Sequence, residues 1–288
     1  MARALRSTGD LDGALAAIRE GVSLLEPPPE NKSPGRLVTS ELALVTQGEI
    51  LGEDNAISLG RSREAAEYFE RGLTIAANLV RQDPNDAASR VAFSDDGIKL
   101  AAILHHSDPR RAVAIYDEAL RRLAEIKNNS RARRDEVRAL AGSIYPLRQI
   151  GSTGEARKRL DAAFSRLSEM KLYPAEQVEP GSEPDNALRA LAEYEAGSGD
   201  VRRGIGTYEL LLGKIMTSKP RPESRLADAA NLSNIYAAMG ALHRRTGRPD
   251  QAAELDARRL ELWRHWDRKL PGNSFVRRQL LFTQGVLQ

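Results

Sequence analysis

The sequence predicts an all-α chain: a right-handed α–α superhelix (solenoid) of about six elongated helical hairpins, ending in a C-terminal capping helix. Three observations carry that prediction. A turn residue recurs at Gly9, Gly60, Ser107, Gly151, Gly199 and Gly247, at intervals of 51, 47, 44, 48 and 48 residues. Five residues after each anchor stands a small side chain: Ala14, Ala65, Ala112, Ala156, Gly204 and Ala252. A largely apolar stripe follows nine, thirteen and sixteen residues after the anchor. The ninth positions are Ile18, Phe69, Tyr116, Leu160 and Tyr208, with Asp256 breaking the rule. The thirteenth are Val22, Leu73, Leu120, Phe164, Leu212 and Leu260, and the sixteenth Leu25, Ala76, Leu123, Leu167, Ile215 and Trp263. Steps of four and three residues put these side chains on one helical face. A self-similar period of this length is the mark of stacked repeats.

The last repeat, Tyr236 to Trp263, shows the unit most plainly. Tyr236, Met239, Gly240 and His243 share one face of a first helix, and Gly247 ends it with a residue tolerant of positive φ. Pro249 opens the second helix, where a missing N–H is harmless, and Ala252 lets that helix lie close to Gly240. On this template the repeats run over about 1–27, 36–83, 86–127, 131–171, 185–217 and 223–270, with a cap over 273–284. All belong to one helical-repeat domain. Asp10, Ser62, Asp108, Thr153 and Asp200 are the expected N-caps of the second helices. Among the first helices, Leu42, Leu44, Val45, Ile50 and Leu51 precede Gly60 across an added loop from Gly52 to Leu59. Leu100 and Ile103 precede Ser107, Leu140, Ile144 and Leu147 precede Gly151, and Leu188, Leu191 and Ala192 precede Gly199.

Breaks are expected at Pro27-Pro28-Pro29 with Pro34-Gly35, at Asp83-Pro84-Asn85-Asp86, and across Pro174, Pro180, Gly181 and Pro184. Further breaks fall at Pro220 and Pro222 and at Pro271-Gly272-Asn273. Pro146, inside a helix, should kink it. Phe275, Val276, Leu280 and Leu281 give the tail an apolar face to cover the last repeat. Only eight residues precede Gly9, too few for a full first helix, so the chain reads as part of a longer protein.

Of the 288 residues, 41% are hydrophobic and 29% charged, enough to bury a core, while only 5% are aromatic. With 43 cations against 40 anions the surface is mixed, and nucleic-acid binding is not expected. The absence of cysteine excludes disulfides and thiolate metal sites but leaves the compartment open. The N-terminus carries no apolar signal core, and no run approaches the roughly 20 apolar residues of a membrane span.

The Gly turn, the small residue at the close helix contact and the aromatic of the second helix resemble the tetratricopeptide repeat, here stretched beyond its usual length of about 34 residues. Several segments also resemble the C-terminal repeat region of a group of bacterial serine/threonine protein kinases. They are Gln47-Gly48-Glu49-Ile50-Leu51-Gly52 leading to Leu59-Gly60, Asp108-Pro109-Arg110-Arg111-Ala112, the stretch Asn128 to Asp135, Lys171-Leu172-Tyr173-Pro174, and Leu262 to Pro271. That resemblance implies a sensory or protein-docking role in signalling. It also implies a kinase domain and a membrane-spanning helix ahead of the repeats, and a position across the membrane from the kinase; otherwise the region would be cytoplasmic.

Chemistry finds little footing. The Gly-rich loop, Val-Ala-Ile-Lys, His-Arg-Asp and Asp-Phe-Gly signatures of a kinase do not occur in the sequence. Gly204-Ile205-Gly206 reads as a pair of helix-packing glycines. His105 and His106 should point to different sides of a helix, His243 should be half-buried between helices, and His265 should lie on the surface beside Trp263 and Trp266. No catalytic residue, cofactor or metal is expected. Trp263 should pack on the terminal helix and Trp266 be partly covered, with an aromatic docking patch as the alternative. Arg121, Arg122, Arg131, Arg133, Arg134 and Arg138 lie among Glu125, Asp135 and Glu136 and read as a salt-bridged, solvated face. Such arrays usually hold a protein or peptide segment in the groove lined by first helices. By spacing, the groove candidates are Arg138, Tyr145, Arg148, Asn186, Arg189, Asn234, Arg244 and Arg245. Arginine and asparagine suit carboxylates and peptide backbone. Asn234 with Arg244 and Arg245 matches a carboxylate clamp in part. The expected function is a non-catalytic protein-interaction scaffold, with self-association or a nucleic-acid-linked regulator as rival readings.

Overall fold

A computed structural model of the protein describes residues 1–25 and 33–285, so the expected break at Pro27-Pro28-Pro29 lies outside the described residues. Among the described residues there are thirteen α-helices and no strand. They form two compact units: 1–54 with 58–150, and 151–288 with the short stretch 55–57.

The first unit holds α1 (Ala2–Thr8), α2 (Leu11–Ser23), α3 (Pro34–Gly52), α4 (Ser62–Gln82), α5 (Ala87–Leu104), α6 (Pro109–Ala124) and α7 (Ser130–Gln149). The second holds α8 (Thr153–Glu169), α9 (Glu183–Gly197), α10 (Val201–Thr217), α11 (Leu226–Arg245), α12 (Pro249–Lys269) and α13 (Ser274–Thr283). Within each unit a helix packs chiefly on those one or two places along the chain. That is what short turns between amphipathic helices produce.

The turns explain themselves locally. Gly9, Gly60, Gly151, Gly199 and Gly247 all have positive φ, between 70° and 101°, which glycine adopts without steric cost. Ser107 stands at the third turn without it; there α5 ends at Leu104, and Asp108 and Ser107 both return their N–H to the Leu104 carbonyl. The N-cap falls one residue after the anchor in all six turns: Asp10, Arg61, Asp108, Ser152, Asp200 and Arg248. Asp10, Asp108 and Asp200 cap as expected, accepting from Gly13, Arg111 and Arg203 N–H. Ser62 and Thr153 instead occupy the first helical position, because the Gly turn closes one residue sooner than their side chains suggest. Asp86, Asn129 and Asn273 are further caps, on α5, α7 and α13. Pro184 lies in the first turn of α9, not in the gap before it, and α7 continues past Pro146 to Gln149.

The second helices bury a stripe one step different from the expected one. Ala14, Ala65, Ala112, Ala156 and Ala252 are buried, followed nine residues after the anchor by Phe69, Tyr116, Leu160 and Tyr208. The next buried row is twelve residues after it, at Gly72, Ala119, Ala163 and Leu211, and then sixteen at Ala76, Leu123, Leu167, Ile215 and Trp263. The thirteenth positions Leu73, Leu120, Phe164, Leu212 and Leu260 are only half-buried flanks. Asp256, the exception at the ninth position, pairs with Arg244 and Arg259, and Leu255 takes the buried place beside it.

Helix crossings set the glycines. A Cβ on Gly204 would lie 2.7 Å from the Ala192 carbonyl oxygen and 2.9 Å from Ala196 Cβ, so α10 presses its backbone against α9. Gly206 faces open space, so only the first of the two glycines is a packing residue. At Gly240 a Cβ would meet Ala252 O at an ordinary 3.8 Å. Trp263 packs against Phe275 of α13 in an edge-on arrangement at 5.6 Å, as expected, and its Nε1 donates to Ser233 Oγ at 2.9 Å. Trp266 is buried as well, 4% exposed, and donates to the Pro222 carbonyl, which removes it as a docking patch.

Candidate functional site: an ionic ladder on the first helices

In the first unit, α3, α5 and α7 carry the first-helix positions, and their charged side chains meet one another. Asp95 and Lys99 stand four residues apart on one face of α5, and Lys99 Nζ reaches Asp95 at 2.8 Å and Glu49 of α3 at 2.9 Å. On the other side of Asp95, Arg138 of α7 bonds it at 2.9 Å and its own Asp135 at 3.1 Å. Arg131 flanks the same two acids at 3.5 and 3.7 Å. Arg6 of α1 closes the far end on Glu49 and Glu53. The ladder thus runs Arg6, Glu49, Lys99, Asp95, Arg138, Asp135 across four helices.

Its electrostatics follow from burial. Lys99 and Asp95 side chains are each only 10% exposed. Burial alone would raise Asp95, but Lys99, Arg138 and Arg131 outweigh it and hold the carboxyl below its ordinary range. Burial likewise opposes the charge on Lys99 and on Arg138, yet their carboxylates win and both hold their protons more tightly than usual. Asp135 goes the other way, raised by burial and by the neighbouring Asp95. Breaking one partner of such a network leaves an uncompensated buried charge, which costs about 3–5 kcal/mol.

The second unit builds a smaller version on α9 and α11. Asp185 is fully buried; it accepts from Gly181 N–H, from Arg189 Nε at 2.6 Å and from Asn231 Nδ2 at 3.0 Å. Arg189 continues to Asn231 Oδ1 at 2.8 Å.

The groove candidates divide accordingly. Arg138 and Arg189 belong to these networks, their heads fixed by acids and only partly exposed. Tyr145 lies 5.7 Å from the His105 ring. Arg148 and Asn186 are half-buried on α7 and α9. Asn234 Nδ2 donates to the Asn55 carbonyl at 3.3 Å. Arg244 turns to Asp256 of its own second helix, while Arg245 donates to the Ala196 carbonyl at 3.1 Å. Arg138, Tyr145 and Arg148 therefore lie in the first unit and the other five in the second.

The arginine cluster is salt-bridged. Arg121 and Arg122 both bind Glu118, Arg121 also Glu125, and Arg133 binds Glu136. Three of the four histidines depart from expectation, while His265 stands beside Trp266 as expected. The His105 and His106 rings sit 3.8 Å apart because α5 ends at Leu104, so helical periodicity does not apply to them. Burial, with His106 beside it, pushes His105 down to about 4. His243 is buried rather than half-buried, 5% exposed. His265 ring nitrogen meets the Glu223 carbonyl at 3.0 Å. Among the described residues no group of three or more His, Cys, Asp or Glu could hold a metal ion, and no helix is long and apolar enough to cross a membrane.

Sequence reasoning missed Glu41, Glu49, Asp95, Asp96 and Lys99. Their signal was present as charges inside an otherwise apolar helix, above all Ser94-Asp95-Asp96-Gly97-Ile98-Lys99, whose Asp95 and Lys99 are spaced for pairing.

No protein-family profile matches the chain, and no curated protein matches it. Among solved structures it is similar to a tetratricopeptide repeat protein from Parabacteroides merdae, at 14% identity and a TM-score of 0.42, over 98% of this chain and 96% of that one.

Proposed function

We propose that the protein is a non-catalytic scaffold in which the first-helix face of a unit docks a protein segment. The observation that supports this reading is the fixing of partly exposed guanidinium groups on that face. Arg138 is held by two aspartates and Arg189 by an aspartate and an asparagine. A cation already immobilised loses little side-chain entropy on binding, and arginine's planar fork suits backbone carbonyls and carboxylates of a peptide. Arg148 on α7, Asn186 on α9, and Asn234, Arg244 and Arg245 on α11 add to the polar surface of these helices. The resemblance to kinase C-terminal repeats supplies the finer context, a sensory or docking region of a bacterial serine/threonine kinase-like protein.

The test is a partner captured by the wild-type chain, whose affinity is then measured against charge-reversed variants. Arg148→Glu and Arg245→Glu should each weaken it at least tenfold, that is by about 1.4 kcal/mol, with helical content unchanged. Unaltered affinity in both would end the docking proposal.

A further inference from the structure

Beside the ionic ladder lie two acids that it leaves out. Asp96 of α5 is 1% exposed and Glu41 of α3 7% exposed, and their carboxyl groups hydrogen-bond to each other. Among the described residues no ion pair reaches either one, and Asp96 Oδ2 is buried without a hydrogen-bond partner. The cations of the ladder make their ion pairs with other acids. Lys99 is bound to Glu49 and Asp95, Arg138 and Arg131 to Asp95 and Asp135, and Arg6 to Glu49 and Glu53. Arg3 of α1 acts on Glu41 through space alone. On α4 the nearest approach is a glycine: a Cβ on Gly72 would lie 3.6 Å from Asp96 Oδ2 and 2.7 Å from Val45 Cγ2, so this position puts no side chain against the acid.

Two carboxylates pressed together at such burial cannot both be ionised, because the through-space pull of Lys99 and Arg3 is smaller than the cost of burying the charge. One proton between them turns repulsion into an O–H···O bond. We infer that Glu41 and Asp96 share a single proton at neutral pH, and that its loss on alkalinisation loosens the packing of α3 against α5: a proton-dependent clasp inside the first unit. The inference is independent of the docking reading.

Burial first, and then the neighbouring acid, raise Asp96 well above the ordinary carboxyl range; burial raises Glu41, partly offset by its bond to Asp96 and by Lys99. A folded-state value above the unfolded one means that the folded state binds the extra proton. The pair's stabilisation is therefore complete in acid, below the unfolded carboxyl range. It declines as pH rises through the raised value, opposite to the usual behaviour of a salt-bridged acid.

Native-state hydrogen exchange of the full chain tests this, read on peptides from 34–52 and 87–104 and corrected for intrinsic exchange rates. In the window between the two carboxyl values, one proton released per opening makes the opening constant rise about tenfold per pH unit. Asp96→Asn supplies a neutral group that donates to Glu41 permanently, and Glu41→Gln does the reverse. Each should fold and lose that one-proton dependence, while the contributions of Asp95 and Asp135 persist in all three proteins. Profiles for wild type and the amide variants that run parallel would overturn the clasp. Failure of both variants to fold would overturn it too, since a neutral amide should replace the protonated acid.

Discussion

Gly204 and Gly206 stand two residues apart on α10 and should answer oppositely to the same added methyl group. Alanine in place of glycine in a helix interior is worth roughly 0.8–1 kcal/mol. At Gly206 nothing stands in the way, so Gly206→Ala should raise stability by about that amount. At Gly204 the new carbon would press on the Ala192 carbonyl oxygen, a backbone atom that yields only if the crossing opens. Overpacking of that kind costs about 1–3 kcal/mol and outweighs the propensity gain. Urea midpoints for the two variants, followed by tryptophan fluorescence, should move in opposite directions. Sequence spacing predicted both as packing residues, because a pattern of small side chains does not distinguish a crossing from an exposed helix back.

The second helices show what periodicity conveys and what it hides. Their close face is marked by small residues at Gly72, Ala119 and Ala163, which contribute little apolar signal. The bulkier Leu73, Leu120 and Phe164 next to them announce the stripe, one position away from its centre. The turns were more legible, since positive φ asks for glycine and five of the six anchors supply it. The ladder was the least legible part. A charged residue looks solvent-facing until its partners on other helices are known, and Glu49, Asp95 and Arg138 come from three of them. Helix starts offer a direct test. Arg248 has φ −113° and ψ 64°, close to capping Asp200 at −95° and 69°, but it makes no side-chain cap. Arg248→Asp should accept from the α12 amides and place a negative charge at the helix N-terminus, stabilising the chain by about 1 kcal/mol. An unchanged thermal midpoint would count against shared cap geometry as the controlling feature.

At the scale of the whole chain, contacts between near neighbours mean that damage should stay local. Phe275 is 1% exposed and covers Trp263 at the end of the second unit. Phe275→Ala removes a large buried side chain, a loss of about 3–5 kcal/mol. Hydrogen exchange should accelerate across α12 and α13 while α3 to α6 keep their protection. Uniform loss of protection would show a single cooperative body instead.

Both indoles, Trp263 and Trp266, lie on α12. The protein's intrinsic emission at tryptophan wavelengths is thus an optical reporter for the second unit alone. An alkaline opening of the Glu41–Asp96 clasp would pass in the dark, and an indole placed beside α3 would be needed to light it.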